Sequence, residues 1–299
     1  MIHTPVFLKE AMEILNPQKG EFFIDGTIDG GGHAAEISKR IGPNGKLLGI
    51  DWDEEMIEDC RSRLAGFKNL ILRCGNYADL PEMLKQIRKA DPSIPLRASG
   101  LLLDLGFSSE QLEKSGRGFS FLRNEPLDMR YNGKTEQTAA AIINGFTEKD
   151  LADIFWKYGE ERHSRRIAKA IVAQRKKKRI LTTFDLTGVI GEAAPRSFGK
   201  TKINPATKVF QALRIYVNSE LDNLEKVLNK LNRILKSKGR VGIISFHSLE
   251  DRIVKNYFRK LAKDGKAEIL TKKPVRPSAE EIKGNPRSRS AKLRVLKIL

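Results

Sequence analysis

Three aspartates occupy matching places in the first third of the sequence, each closing a short apolar run. Asp25 follows "FFI", Asp51 follows "KLLGI" and Asp104 follows "GLLL". Between the first two lie Gly30, Gly31 and Gly32, then His33. Carboxylates at strand ends can hold the hydroxyls of a nucleoside-like ligand, and a glycine run lets backbone approach it closely. A phosphate-binding loop would need Gly-Lys-Ser/Thr after its glycines, and here His33 and Ala34 stand there. A dinucleotide loop needs G-x-G-x-x-G, and "DGGGHAAE" places Ala35 or Glu36 near the last glycine position. S-adenosylmethionine has no pyrophosphate. It needs backbone approach at the first loop and an acid after the second strand for the ribose, and Asp51 is that acid. A tight structural turn would also explain the glycines.

Other chemistries fit less well. In "SFHSLEDR" (245–252) serine, histidine and aspartate crowd one strand-to-helix turn, too close in sequence for a catalytic relay, and no G-x-S-x-G elbow occurs. The four histidines are scattered without ligand spacing, so no metal site is expected. Cys60 and Cys74 are too few for a disulfide framework or a zinc site and read as reduced, structural residues.

The elements that must position the acids follow from periodicity. Apolar runs at 21–25, 46–50, 69–73 and 99–103 alternate with helical patterns at 33–41, 54–66 and 79–89. This rhythm predicts a parallel sheet with crossover helices, whose ligands sit beyond the carboxyl ends of the strands. After "LLLDLGFSS" the rhythm stops, and 113–215 reads mostly as helix, including an amphipathic stretch around 148–175 interrupted at Gly159. It then resumes. Ser219 with Asp222 resembles a capping box, Leu221, Leu224, Leu228, Leu231 and Leu235 form a stripe, and Gly239 reads as a stop. The strand "RVGIISF" follows, Ser248 with Asp251 reads as the cap of the next helix, and 267–271 and 291–298 are strand-like. The expected organisation is one α/β domain, 1–112 with 216–299, carrying an inserted helical domain, 113–215.

Composition narrows the partners. The chain has 299 residues and a net charge of +18, which favours an anionic partner such as nucleic acid. From Arg162 to Phe184 there are nine lysines or arginines and no acid. The stretches 193–219 and 283–299 also lack acids, whereas a merely solubilising surface would intersperse both signs. No apolar run approaches the ~20 residues of a membrane span, and "MIHTPVFLKEAM" lacks a signal-peptide layout, so a cytoplasmic protein without membrane association is expected.

Segments along the whole length resemble the RsmH (MraW) family of bacterial methyltransferases. They include "HTPVFLKE" (3–10), "DGTIDGGGH" (25–33), "GIDWD" (49–53), "LLLDLGFSSEQL" (101–112), "RGFSF" (117–121) and "PLDMR" (126–130). They continue with "YGEER" (158–162), "FQALRIYVNSEL" (210–221), "ISFHSLEDRIVK" (244–255) and "NPRSRSAKLR" (285–294). The resemblance implies a class I S-adenosylmethionine-dependent (Rossmann-like) methyltransferase sheet with an inserted all-helical domain. It implies methylation of the N4 amine of a decoding-centre cytidine in the 16S rRNA of the small ribosomal subunit. It also implies cofactor contacts at Gly31, Gly32, His33, Asp51, Tyr77, Asp104 and Gln111. One position departs: the family pattern D-x-T-x-G-x-G-G-H has glycine where this chain has Asp29. If a positive φ is needed there, Asp tolerates it better than most residues, or Gly30 absorbs the turn.

The cytosine N4 lone pair is delocalised, so such an enzyme must orient it and accept an N–H hydrogen bond as charge develops. Many amino-methyltransferases use an Asp/Asn-Pro-Pro-aromatic loop after the fourth strand. The corresponding "DLGFSS" supplies Asp104 as the expected acceptor and Phe107 as a stacking or packing aromatic. Ser245, Phe246 and His247 are placed to border a base pocket. Phosphate contacts are expected from Arg165, Arg166, Lys169 and the run Arg175, Lys176, Lys177, Lys178, Arg179, and from the C-terminal segment. Two rival functions remain at this level: a methyltransferase acting on DNA or another RNA, and a basic nucleic-acid-binding protein without catalysis. Labelling of naked DNA would separate the first, and absence of cofactor binding the second.

Overall fold

The computed structural model describes residues 5–106, 111–112, 115–133, 137–193, 204 and 206–299. Two compact units emerge, Met1–Phe107 with Leu221–Leu299, and Ser108–Glu220. The sequence-based expectation that falls on Phe107 lies outside the described residues.

The first unit alternates strand and helix as its periodicity demands: α1 (Leu8–Leu15), β1 (Phe22–Asp25), α2 (Gly32–Ile41), β2 (Lys46–Asp51), α3 (Glu54–Arg63), β3 (Leu70–Cys74), α4 (Leu80–Ala90) and β4 (Ala98–Asp104). The second unit holds α5 (Ala139–Gly145), α6 (Glu148–Gly159), α7 (Ser164–Arg175), α8 (Thr183–Ala193) and α9 (Ala206–Val217). The chain then gives α10 (Glu220–Asn229), α11 (Leu231–Ile234), β5 (Leu235–Ser245), α12 (Ser248–Lys263), β6 (Ala267–Ile269), α13 (Ala279–Gly284) and β7 (Lys292–Ile298).

The seven strands lie in the order β3-β2-β1-β4-β5-β7-β6. β1 to β5 are parallel, and β7 runs antiparallel to both β5 and β6. This is the class I, Rossmann-like sheet that the family resemblance implies. Strand order reverses between β1 and β4, so a crevice opens at their carboxyl ends, where Asp25 and Asp104 stand. Alternate side chains feed two cores. Ile24, Leu48, Leu101, Leu103 and Ile243 pack with α4, α10 and α12 residues such as Leu84, Leu228 and Phe258. Phe23, Leu47, Leu102, Ile244 and Val295 pack on the opposite face with Met12, Ile37, Ile41 and Ile57. The strands are apolar on both faces because helices cover both.

Two local expectations are corrected. The leucine stripe does not continue as helix to Gly239: Leu235 opens β5 and pairs with Ala98, and Gly239 lies inside the strand beside a register shift. An apolar residue four places beyond a helical stripe also fits a buried strand, so spacing alone could not stop the helix. Ser219 is not an extended-backbone cap either. Its φ is 49°, and Glu220 opens the helix while its carboxylate takes two hydrogen bonds from Arg214, at 2.9 and 3.0 Å.

In the second unit α6 packs on α7 and α9, and Leu151, Phe155, Ile167, Ile171 and Leu213 are buried. Thr147 and Thr138 cap α6 and α5 through their side chains. A single antiparallel bridge, Pro126 to Thr182, joins two loop segments. Among the described residues no helix is long and apolar enough to cross a membrane.

Candidate active site

Asp25, Asp51 and Asp104 are the last residues of β1, β2 and β4, and all three are buried. Asp51 is the best satisfied. Its Oδ2 accepts the Asp29 N–H at 3.2 Å and its Oδ1 the Asp53 N–H at 2.9 Å. Burial outweighs these bonds and pushes its pKa up to about 6. Asp25 accepts the Thr27 N–H on Oδ1 at 3.3 Å, and its buried Oδ2 has no hydrogen-bond partner among the described residues. Burial, reinforced by the charge of Asp51, pushes Asp25 up to about 8. Asp104 is held through its backbone, whose N–H donates to Thr27 Oγ1 at 2.6 Å, while its buried Oδ1 has no partner among the described residues. Burial first, and then the negative neighbours Asp25 and Glu250, raise Asp104 well above the carboxylate range.

His33 sits in the first turn of α2, where its ring is buried. Its Nε2 lies 3.0 Å from the Val6 carbonyl, which makes that nitrogen the N–H donor. Nδ1 faces Asp104 Oδ2 at 3.8 Å, beyond hydrogen-bond reach. The approach to α2 settles the question raised by Asp29. Asp29 itself takes the left-handed conformation (φ 47°), so Gly30 does not absorb the turn for it, and Gly31 follows at φ 80°. The Asp29 carbonyl accepts the Cys60 thiol at 2.9 Å, and burial pushes that thiol up to about 12, an unreactive structural cysteine. The glycines also serve the chain's own packing. A Cβ on Gly31 would meet Leu64 Cδ1 at 2.8 Å, and one on Gly32 would meet Pro5 Cγ at 2.7 Å.

The remaining expected residues divide. Tyr77 opens a short turn after β3, half-buried against the core near α4. Gln111 is buried and belongs to the second unit. His247 is the N-cap of α12, in place of Ser248: its ring accepts the Glu250 N–H, and the Glu250 carboxylate accepts the N–H groups of Phe246 and His247 at 2.9 and 3.3 Å. Asp251 does not cap the helix either. It receives Lys292 Nζ at 2.9 Å and Arg294 Nε at 2.7 Å, tying α12 to β7.

Sequence reasoning assigned no role to Glu250, which completes the buried acid group with Asp25, Asp51 and Asp104. The spacing His247 to Glu250 is the box signature, obscured because histidine is an uncommon cap. Thr27 was also missed, although Asp25-x-Thr27 is a side-chain turn pattern.

The basic stretch separates by partner. Arg165, Arg166 and Lys169 are exposed on α7. Arg175 instead donates to the Ile143 carbonyl at 2.7 Å, and Lys178 pairs with Asp185 at 3.2 Å. Lys176, Lys177 and Arg179 are exposed.

The acid group fits an S-adenosylmethionine-like ligand. Buried carboxylate oxygens without donors are costly, and a ligand carrying cationic groups and hydroxyls supplies what they lack.

Comparison with known proteins agrees in direction. The family model of the MraW methylase family matches residues 1–299. "Ribosomal RNA small subunit methyltransferase H" of Desulfotalea psychrophila is 47% identical, covering 98% of this chain and 97% of that protein. The protein of the same name from Syntrophotalea carbinolica is 43% identical, covering 99% and 98%. Among solved structures, a putative rRNA-methylase from Clostridium thermocellum is 9% identical with a TM-score of 0.47, covering 99% of both chains. From its match over the full length and its relatives at these identities, the chain belongs to the MraW methylase family.

Proposed function

We propose that this chain transfers a methyl group from S-adenosylmethionine to the exocyclic N4 amine of a decoding-centre cytidine in the 16S rRNA of the small ribosomal subunit. When bound, the cofactor supplies an electrophilic methyl group. The chain's own residues do the rest. Asp51, already fixed by two backbone N–H groups, keeps lone pairs for ribose hydroxyls. Asp104 accepts an N–H of the target amine on Oδ1, orienting its lone pair and taking up positive charge as it develops. His33, anchored to Val6, holds Nδ1 near the other oxygen of Asp104, where it can receive a proton if the two close to hydrogen-bond distance. His247 and Glu250 fix the start of α12 beside the acid group.

In this reading Met1–Phe107 with Leu221–Leu299 forms the methyltransferase domain, and the helical unit recognises the substrate. Splaying a cytidine from its stack costs a few kcal/mol, least in a looped site, and phosphate contacts from Arg165, Arg166, Lys169, Lys176, Lys177 and Arg179 offset it.

The observation that carries the proposal is the buried Asp104 Oδ1 at the end of β4, which has no hydrogen-bond partner among the described residues. The test is incorporation of labelled methyl into small-subunit particles lacking the modification, followed by nuclease mapping. The expected product is one N4-methylated cytidine, abolished in Asp104→Ala. Label confined to naked DNA, or full activity in Asp104→Ala, overturns the proposal.

A further inference from the structure

Six large hydrophobic side chains are exposed among the described residues, and three of them belong to one small feature of the second unit. Leu122 is 79% exposed, Leu181 50% and Phe184 49%. The segments that carry them are bound together. Leu127 N–H donates to the Leu181 carbonyl and Thr183 N–H to the Glu125 carbonyl, both at 2.9 Å, across the Pro126–Thr182 bridge. Thr183 Oγ1 donates to the Arg123 carbonyl and accepts the Glu125 N–H.

Further hydrogen bonds hold this feature together. Asn144 clamps the backbone of Ile180 from both of its amide atoms, at 2.7 and 3.1 Å. Asp185 Oδ2 takes the N–H groups of Leu181 and Thr182. Gly118, at φ 76°, donates to Glu125 Oε2, and a Cβ there would strike the Pro126 carbonyl at 2.4 Å. Scattered exposed leucines need no explanation, but three exposed apolar side chains carried on segments bonded to one another point to an interaction site.

Charge decides the class of partner. Lys176, Lys177 and Arg179 lie immediately before Leu181, exposed and with no ion pair among the described residues. An aromatic ring with aliphatic neighbours beside exposed cations suits unstacked bases on a phosphate backbone, since every base offers a face for stacking. We infer that Leu122, Leu181 and Phe184, flanked by Lys176, Lys177 and Arg179, form a stacking platform for a single-stranded segment of the substrate RNA, with Phe184 under a base. The inference rests on the proposed RNA substrate and adds a contact separate from the acid group.

The test measures binding of a short single-stranded RNA carrying 2-aminopurine, and of small-subunit particles, without cofactor. Phe184→Ala is expected to weaken binding ~5- to 100-fold with an unchanged salt slope, because stacking releases no counterions. Phe184→Trp should restore it. Changing Lys176, Lys177 and Arg179 together to Gln should lower the slope of log K against log salt by ~2. In turnover, Phe184→Ala raises KM and leaves kcat and S-adenosylmethionine affinity unchanged. Unchanged RNA binding by Phe184→Ala and Leu181→Ser overturns the platform. So does a wild-type self-association that Leu122→Ser and Leu181→Ser abolish, which would make the patch a contact between copies of this chain. Binding is read without methyl transfer, so a chain that binds particles but methylates no RNA refutes the proposed function instead.

Discussion

Replacing Asp25 with Asn isolates the electrostatic cost of the acid group. Asp25 is 1% exposed, lacks a partner on Oδ2 among the described residues, and is raised from 3.8 to about 8. A group raised in the folded state contributes stability that is fully present below its unfolded pKa and is lost as pH rises through the folded one. Across the window from 3.8 to about 8 the folded chain holds a proton that the unfolded chain releases. Stability therefore falls by ~1.4 kcal/mol per pH unit from this residue. Asn reproduces the shape of the protonated acid, keeps an oxygen for the Thr27 N–H, and does not titrate. Urea unfolding at pH 5.5 and 7.5 should show wild type losing ~2.5 kcal/mol more than Asp25→Asn, with unchanged m-values. Asp51 and Asp104 titrate in both proteins, so their share largely cancels in the comparison. Parallel pH profiles for the two proteins would refute the assignment of a neutral buried acid at position 25.

The other expectations concern the cofactor, the α12 anchor and the glycine turn. Affinity for S-adenosylmethionine should rise from pH 5 to 8 as Asp51 and then Asp25 ionise, with proton release detectable by calorimetry in buffers of different ionisation enthalpy; a flat profile would mean that the cationic ligand does not meet these acids. For Asp251, burial acts upward but the hydrogen bonds from Arg294 and Lys292 prevail and hold it below the usual range. Its stabilisation is therefore present above the unfolded pKa and lost as pH falls through the folded one. Asp251→Asn, which strands two half-buried cations, should cost ~3 kcal/mol in urea unfolding at pH 7. Gly31→Ala places a Cβ at φ 80° and against Leu64, and should lower stability by ~1–3 kcal/mol, read as a shift of the thermal midpoint. Asp29→Gly should move cofactor affinity less than ~10-fold, since the aspartate already adopts the left-handed turn; a larger change would show that its side chain acts on the ligand directly.

The strand-end acids were legible because a parallel sheet puts the last residue of each strand on one edge, and apolar runs ending in Asp mark those positions. Their protonation was not legible. The neutral state of Asp25 depends on packing from distant elements and on Asp51, neither of which has a local sequence signature. The capping of α12 shows the same limit in miniature. Ser248 is the better cap by type, yet the chain uses His247, because Glu250 returns to the two preceding N–H groups and fixes the register one residue earlier. In the basic run, composition could not tell Arg175, engaged with Ile143, from Lys176, which is exposed and has no such bond among the described residues.

These failures share a cause that bears on function. Local pattern reports which side chains a backbone element presents, but the state of a charged group depends on what surrounds it in three dimensions. At Asp104 the surroundings are two further carboxyl groups, Asp25 and Glu250, in a buried setting. Such a group resists ionisation until positive charge arrives, and an amine gaining a methyl group develops positive charge. An acceptor whose ionisation is opposed by burial and by neighbouring carboxyl groups is therefore matched to the transition state rather than to the resting amine. The same burial that costs the folded chain stability above pH 4 tunes the oxygen that the proposed reaction requires.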